Sequence, residues 1–402
     1  MNALTKTRVV VAGAGPVGSV AAILLAQNGV DVALLEAGMD CAQDLRASTF
    51  HPPTLEMLDE IDVTGTLLEQ GLRAPVFHYR DRTNDEIYAF DLGEIAGETR
   101  YPYRVQCEQY KLARRLTERL NAMPNAQVLF AHRLVHFEQD AAGVTVTAET
   151  PVELAQFRAD YLIGADGANS LVRKYLNVGF EGFTYPEKFL TMSTDWPLED
   201  HFRDLAYVNY VSDPNEWLVL LRVPGVWRVL VPAGTNESDA DLVADTKKTD
   251  VFQRLVGHGA EVFTQHRTVY RVHQRVANRF VHGRVILIGD AAHLNNPLGG
   301  FGMNSGIHDA VSLCHALLEC LDEADHSDSL LGLFERRRHT ITRNFIQQQS
   351  IRNKQDMELG SAEAESRRRR EMRATCENAD RRREFLLRQS MIQSVRDAAA
   401  IS

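Results

Sequence analysis

Three stretches rich in glycine and aspartate, far apart in a chain of 402 residues, have the composition of nucleotide-binding loops. In the first stretch, an apolar β-branched run at residues 8–12 precedes a turn with G-x-G-x-x-G spacing, made by Gly13, Gly15 and Gly18. The first glycine permits the tight turn, the second lets the backbone approach a pyrophosphate, and the third allows a helix to pack closely on the strand. The helix that follows directs its positive N-terminus at the phosphates. This pattern predicts a strand, a phosphate-binding turn and a helix.

An acidic residue stands where such a unit places its ribose ligand. A second apolar strand at residues 31–35 ends in Glu36, which is suited to hydrogen-bond an adenosine ribose. Strand, helix, strand and acid are all present, so a glycine-rich turn without a ligand is the weaker interpretation. The first motif alone does not distinguish FAD from NAD.

The other two stretches repeat the arrangement of a buried strand followed by glycine and aspartate. Residues 161–165 lead into a D-G-x-x-S-x-x-R pattern that contains Asp166 and Arg173. Residues 285–288 lead into G-D-A-A-H, which contains Asp290, and a glycine-rich segment follows. A helix is predicted to run from about Gly302 to residue 318, after Pro297.

With all three motifs in this order, the chain resembles the single-component FAD-dependent aromatic hydroxylases of the para-hydroxybenzoate hydroxylase type. The resemblance spans about residues 8–345 and implies tightly but non-covalently bound FAD, with NADH or NADPH and O2 as co-substrates. It implies hydroxylation of an electron-rich ring (a phenol, hydroxybenzoate or hydroxypyridine) through a flavin C4a-hydroperoxide. The alternative is an FAD-dependent oxidoreductase of the same fold that does not hydroxylate a ring.

The resemblance also implies roles for individual residues. Arg46 would lie near FAD and the nicotinamide donor, and Gln106 would hydrogen-bond the flavin, although a surface arginine and a helix-entry glutamine remain alternatives. The amides at the start of the last helix would face the flavin, where the half positive charge of a helix N-terminus stabilises the reduced anion. The cofactor-binding residues are predicted to be Gly13, Gly15, Pro16, Val17, Gly18, Glu36, Arg46, Gln106, Asp166, Asp290, Gly300, Gly302, Met303 and Asn304.

Three residues are candidates for catalysis and substrate binding. His51 is a candidate general base, because a neutral imidazole suits removal of a phenolic proton, but a histidine at a helix N-cap is an equally good interpretation. Pro297 matches a proline whose carbonyl lies near the reacting oxygen in the family. Arg222 interrupts an apolar run, where a buried charge needs a partner. That partner is an aromatic anion or an internal acid.

The expected fold is mixed α/β, with a Rossmann-like FAD-binding domain, an interleaved β-sheet substrate domain and a helical C-terminal tail. The predicted division assigns 1–72, 106–178 and 282–345 to the FAD domain, and 73–105 and 179–281 to the substrate sheet. Residues 346–402 are assigned to the C-terminal helices. No internal repeat or long linker interrupts this order.

The amino-acid composition argues against several other classes of function and location. The net charge of −10 gives no reason to expect nucleic-acid binding, and no apolar run is long enough for a membrane span. Five scattered cysteines without a C-x-x-C pair argue for a reducing, cytoplasmic location and against a zinc site. Residues 361–388 hold nine arginines and six acidic residues, which predicts a charged helix facing solvent or a partner subunit and leaves a homodimer open.

Overall fold

The computed structural model describes residues 4–43, 47–213, 216–259, 261–322, 327–358 and 361–402. Its strands are β1 (Thr5–Lys6), β2 (Val9–Ala12), β3 (Val32–Leu35), β4 (Thr49–Phe50), β5 (Leu72–Ala74), β6 (Val76–Asp81), β7 (Glu86–Asp91), β8 (Arg104–Gln106), β9 (Ala126–Leu129), β10 (Arg133–Asp140), β11 (Gly143–Glu149), β12 (Leu154–Ala159), β13 (Tyr161–Gly164), β14 (Phe180–Thr194), β15 (Val208–Ser212), β16 (Leu218–Val223), β17 (Val226–Ala233), β18 (His266–Ala277), β19 (Val281–His282), β20 (Val285–Leu287) and β21 (His293–Leu294).

The helices are α1 (Pro16–Gln27), α2 (Pro52–Asp59), α3 (Thr64–Gln70), α4 (Gln109–Asn121), α5 (Leu171–Tyr175), α6 (Asp239–Leu242), α7 (Asp245–Val256), α8 (Phe301–Asp322), α9 (Ser327–Ile341), α10 (Gln348–Met357), α11 (Ala362–Glu377), α12 (Ala379–Gln389) and α13 (Ile392–Ala399). A π-helical turn at Thr342–Gln347 joins α9 to α10. The two helices therefore form one continuous helical segment.

A six-stranded sheet carries the three sequence motifs. Its order is β19-β20-β13-β2-β3-β9, and the pairs from β20 to β9 are all parallel. The central strands are buried on both faces, as the continuous apolar runs predicted, because α1 and α8 pack together on the sheet and strands β11 and β12 of a second sheet also pack against it. A separate four-stranded sheet, β1-β12-β11-β10, packs into the same core.

An eight-stranded sheet contributes the second core. Its order is β21-β18-β14-β17-β16-β15-β6-β7, so β6 and β7 join strands that lie more than 100 residues later. One face packs against α7 through Leu218, Trp227 and Phe252. The other face carries Tyr210, Val219 and Leu230. The predicted mixed α/β fold with an interleaved second sheet is confirmed.

The arginine-rich C-terminal helices lie against the outer strands of this sheet. Asp81, at the end of β6, forms ion pairs with two arginines of α11: Arg368 Nη2 and Arg369 Nε lie 2.7 and 2.8 Å from its Oδ2. Further ion pairs join the segment to the same region: Arg373 with Glu86, Arg382 with Glu94, and Arg383 and Arg396 with Glu98. The arginines of these helices therefore form ion pairs with their own chain. This corrects the expectation of a charged helix that faces solvent or a partner subunit.

The amphipathic end of the chain also packs on the body. Phe385 and Leu386 join the apolar cluster of β6 and β7, and the Phe385 ring lies 4.5 Å from that of Phe90. Among the helices that the structure describes, none combines the length and apolarity needed to cross a bilayer.

The fold makes Asp81 the main electrostatic anchor of the C-terminal segment. Burial alone would raise the pKa of its carboxyl, but hydrogen bonds from Arg369 and Thr83 outweigh burial and lower that pKa. We expect Asp81→Asn to reduce the free energy of unfolding by about 1–3 kcal/mol at pH 7. The difference from wild type should shrink as the pH falls below about 4, because the carboxylate is then protonated in the unfolded chain and later in the folded one.

Urea denaturation followed by circular dichroism measures this effect. Asp85→Asn is the matched control, because the side chain of Asp85 is 78% exposed and, within the part of the chain that the structure describes, forms an ion pair only with the exposed Arg203. An equal loss of stability in both variants would contradict the anchoring role of Asp81.

Candidate functional site

A cavity of about 1000 Å³ runs between the six-stranded and eight-stranded sheets. From the first sheet and its loops come Gly13, Gly15, Pro16, Val17, Glu36, Asp166 and Asp290. From the segment before α8 and its first turn come Pro297, Leu298, Gly300, Gly302 and Met303. From the eight-stranded sheet come Thr191, Tyr210, Val219, Leu221, Arg228, Leu230 and Tyr270. Eleven of the predicted site residues therefore line one space.

Parallel pairing explains why distant motifs meet at this cavity. Ala12 pairs with Leu35 and Gly164, and Gly164 pairs with Leu287, so four strands end at the same level. The residues that follow each strand then share one edge of the sheet, which is where open α/β sheets bind ligands.

The glycines of the first loop are required by close contacts. Gly13 has a φ of +104°, and a Cβ there would lie 2.4 Å from the carbonyl oxygen of Ala165. A Cβ on Gly18 would lie 1.9 Å from the carbonyl oxygen of Gly13. At Gly15 a Cβ would meet no atom within 4 Å, so the backbone there is open toward the cavity. The loop is thus tightly packed on one side and open on the other.

The acidic residues of the three motifs differ in what their carboxylates do. Glu36 accepts hydrogen bonds from the backbone N–H groups of Ala14 and Gly38, each at 2.8 Å. Asp166 accepts from the N–H groups of Leu171 and Val172 and so caps α5. Asp290 is exposed in the cavity wall. Two of the three predicted acids therefore shape the loops as well as lining the space.

The sequence did not predict a buried ionic network that lies behind Asp290. Asp309, on α8, accepts hydrogen bonds from His293 Nε2 and Arg338 Nε, both at 2.7 Å, and from the N–H of Gly289 at 3.1 Å. Burial would raise the pKa of the Asp309 carboxyl, but Arg338 and His293 hold it at about 2. His293 thus orients the third motif from within the core. An i,i+16 pairing of His with Asp has no periodic signal in sequence.

The turn before α8 accepts hydrogen bonds from side chains that lie outside the cavity. His51 Nε2 donates to the carbonyl of Gly299 at 2.8 Å, and Asn304 Nδ2 donates to the carbonyl of Gly300 at 2.7 Å. Pro297 lines the cavity, and its carbonyl accepts from the N–H of Gly300 at 2.9 Å. The side chains of His51 and Asn304 are fully buried and absent from the cavity lining.

His51 occupies the N-cap position of α2, the alternative that its sequence context left open. Its pKa lies well below the usual value, first because of burial and then because of the nearby Arg104 charge. The imidazole is therefore neutral, with its Nε2 proton committed to the Gly299 carbonyl.

Of the two arginines on β16 and β17, Arg228 lines the cavity and Arg222 does not. The arginines that line other parts of it are Arg133, Arg173, Arg271 and Arg275. Along β16, Val219 and Leu221 point to the cavity, so the two-residue alternation turns Arg222 to the opposite face, over the ring of Trp227 at 5.4 Å. Arg228 on β17 lines the cavity and is only 2% exposed.

The neighbour of Arg222 on that face is an acid. Burial alone would raise the pKa of Glu199, but hydrogen bonds, including one from Trp227, and the nearby charge of Arg222 lower it. Arg222 therefore lies near an internal acid, which was the alternative to a substrate anion, and the expectation that it faces the substrate is corrected.

One further predicted residue that the structure describes stands apart from the lining. Gln106 is fully buried next to it: its Oε1 accepts from Thr49 Oγ1 at 3.0 Å, and its Nε2 has no partner among the described residues. Arg46 lies outside the residues that the structure describes.

Comparison with known proteins identifies the architecture. A family model described as an FAD binding domain matches residues 6–349. The chain belongs to this family.

Similar proteins indicate which kind of enzyme within this family the chain resembles. Para-nitrophenol 4-monooxygenase of Pseudomonas sp. strain WBC-3 is 33% identical over 332 residues, 81% of this chain and 81% of that protein. The 6-hydroxy-3-succinoylpyridine 3-monooxygenase of Pseudomonas putida strain S16 is 33% identical over 84% of this chain and 86% of its own length. The crystal structure of p-nitrophenol 4-monooxygenase from Pseudomonas putida DLL-E4 superposes with a TM-score of 0.90 at 29% identity, covering 96% and 99% of the two chains. The chain is therefore an FAD-dependent aromatic hydroxylase, as its three motifs predicted.

The cavity of this hydroxylase fits FAD. The open backbone at Gly15, at the start of a 12-residue helix, suits a pyrophosphate. The buried Nε2 of Gln106 is a hydrogen-bond donor that has no acceptor among the described residues. Buried donors are normally paired, so FAD is a suitable source of the acceptor. FAD, when bound, supplies hydride acceptance and oxygen activation.

The buried Asp309 carboxylate predicts a pH-dependent loss of stability on substitution. Asp309→Asn leaves Arg338 buried without its anion, so we expect a loss of about 3–5 kcal/mol in the free energy of unfolding at pH 7. Because the folded pKa is about 2, below the ordinary value, the contribution is complete above pH about 4 and falls as the pH drops toward 2.

Chemical denaturation at several pH values between 3 and 7 checks this expectation. A constant difference between wild type and Asp309→Asn down to pH 3, or a difference below about 1 kcal/mol at pH 7, would contradict a buried and ionised Asp309.

Proposed function

We propose that this protein uses NADH or NADPH and O2 to hydroxylate a small phenol or hydroxypyridine that binds as its anion. The observation that carries the proposal is the continuity of one cavity, from the glycine loop of the first motif to a chamber walled by Tyr210, Leu221 and Tyr270 with Arg228 in its wall. The substrates named for the two relatives, a nitrophenol and a hydroxypyridine, support this class of ring.

The roles of the cofactor residues remain proposals. The G-x-G-x-x-G loop and Glu36 would hold the adenosine and pyrophosphate half of FAD, and Asp290 would hold the part nearer the flavin. Gln106 and the first amides of α8, around Gly302 and Met303, would meet the flavin ring. The division into an FAD domain (1–72, 106–178, 282–345), a substrate sheet (73–105, 179–281) and a C-terminal region is proposed on the same basis.

The chamber favours an anionic ring for an electrostatic reason. Arg228 is almost completely buried, and its charge acts through apolar and aromatic neighbours such as Leu230 and Tyr210 instead of through water. In such surroundings a cation stabilises a nearby phenolate far more than it would in water. A phenolate ring is more electron-rich than the phenol, which is what electrophilic hydroxylation needs.

The turn at residues 297–300 would form the boundary between flavin and ring. Pro297 and Leu298 line the cavity, while His51 holds the turn from behind. We therefore assign His51 to holding this turn and not to removing the substrate proton. A cytoplasmic location remains a proposal that rests on cysteine usage. The homodimer that the charged C-terminal helices left open loses that support, because these helices form ion pairs with their own chain.

Oxidation of NADH and NADPH by the FAD-loaded protein in air tests the function. Nitrophenols, hydroxybenzoates and hydroxypyridines are added one at a time, and products are analysed by mass spectrometry. A ring that speeds oxidation and gains an oxygen supports the proposal. Oxidation that yields only hydrogen peroxide with every ring would favour the alternative, an FAD-dependent oxidoreductase of this fold that acts without ring hydroxylation.

The two arginines of the sheet provide a matched pair of variants. We expect Arg228→Gln to raise KM for an anionic ring about tenfold or more, because a charge-assisted contact in a buried site is lost. Arg222→Gln should leave KM within about twofold of wild type, since its side chain faces away from the cavity. Steady-state kinetics over pH 6–9, with unfolding curves for both variants, decides the assignment. A larger rise of KM in Arg222→Gln would reverse it.

A further inference from the structure

The turn that precedes α8 has three consecutive carbonyls held by three different elements. Asn353 Nδ2, on α10, donates to the carbonyl of Leu298 at 3.3 Å. His51 and Asn304 hold the carbonyls of Gly299 and Gly300, at 2.8 and 2.7 Å. None of the three donors lines the cavity, so the three carbonyls point into the protein.

This arrangement has a consequence for the opposite side of the turn. With its carbonyls directed inward, the segment presents side chains and the first turn of α8, including Gly302 and Met303, to the cavity. A helix N-terminus that carries about half a positive charge then faces the ligand space instead of partially negative oxygens. The direction of the carbonyls therefore sets the electrostatic character of this wall.

Asn353 owes its orientation to the C-terminal helices. Gln389 Nε2, at the end of α12, donates to Asn353 Oδ1 at 2.8 Å, and Gln349 Nε2 donates to the same oxygen at 3.0 Å. With Oδ1 accepting twice, Nδ2 is directed at Leu298. Asn353 and Gln389 are each 1% exposed, so the pair forms in a region of low dielectric where such hydrogen bonds are strong.

The backbone of Gln389 is itself tied to the substrate side of the fold. Arg104, on β8 and 1% exposed, donates through Nη2 to the carbonyl of Gln389 at 3.2 Å. The ion pairs of Asp81 with Arg368 and Arg369 hold α11, which precedes α12. Both amides also lie beyond residue 349, where the match to the family model ends.

We propose that Asn353 and Gln389 are positioning residues for hydroxylation, through which the C-terminal helices keep the 297–300 turn against the flavin and the ring. This rests on the proposed function of the same cavity. Neither side chain touches the cavity, so each acts through the carbonyl of Leu298. Loosening the turn should let reducing equivalents reach oxygen without reaching the ring.

The test compares two variants with a control in the same C-terminal segment. Asn353→Asp replaces the donor to Leu298 by an oxygen, and Gln389→Leu removes the support of Asn353 without touching the turn. Gln393→Leu is the matched control, because the one described residue to which the Gln393 side chain hydrogen-bonds is Asp397, on its own helix. All three are prepared as FAD-loaded full-length protein, with unfolding curves.

Two readouts separate positioning from general stability. Hydrogen–deuterium exchange of peptides covering residues 297–303 should accelerate in Asn353→Asp and Gln389→Leu and match wild type in Gln393→Leu. Product formed per NAD(P)H oxidised should fall about threefold or more in the first two, with hydrogen peroxide making up the difference, because small displacements in an active site are costly. If Asn353→Asp does not fold, Gln389→Leu carries both measurements.

Either of two results would overturn the proposal: unchanged exchange of the turn, or faster exchange with coupling equal to wild type. Failure of the proposed function gives a different result, since wild type itself would then form no hydroxylated product. In that case the visible circular dichroism of bound FAD decides whether the amides position the turn. It should change in Asn353→Asp and Gln389→Leu but not in Gln393→Leu, and an unchanged spectrum in all three overturns the proposal.

Discussion

The parallel pairing of β20, β13, β2 and β3 is the constraint on which the rest of this structure depends. Parallel neighbours must end at the same edge, so loops separated by as many as 275 residues of sequence, from Ala12 to Leu287, come to surround one space. The close contacts at Gly13 and Gly18 are the price of bringing a helix and two strands that near to each other.

The network around Asp309 extends this constraint into the core. One carboxylate joins the third motif to α8 and α9, through Gly289, His293 and Arg338, and it stays ionised because two donors and a cation compensate its burial. The start of α8 is thereby fixed relative to the sheet. The turn at residues 297–300 inherits this rigidity and receives a second set of constraints from His51, Asn304 and Asn353.

Charge is distributed in two distinct ways around the cavity. Outside it, ion pairs with acidic residues between positions 81 and 98 hold α11 and α12 to the eight-stranded sheet; the arginines in these pairs are Arg368, Arg369, Arg373, Arg382 and Arg383. Arg228 instead lies in the cavity wall, and its buried position lets one cation influence whatever anion enters. A net acidic protein can in this way hold a locally cationic site.

The sequence by itself determined the cofactor, the mixed α/β fold and the family, because close backbone approach and strand ends require glycine and aspartate at fixed local spacings. Only the tertiary structure decided that Arg228 faces the cavity and Arg222 does not, since a shift of one residue along a strand exchanges the two faces of the sheet. It also decided that His51 binds the Gly299 carbonyl and that the arginine-rich helices bind their own chain. These contacts join residues more than 240 positions apart, and no local pattern encodes such pairs.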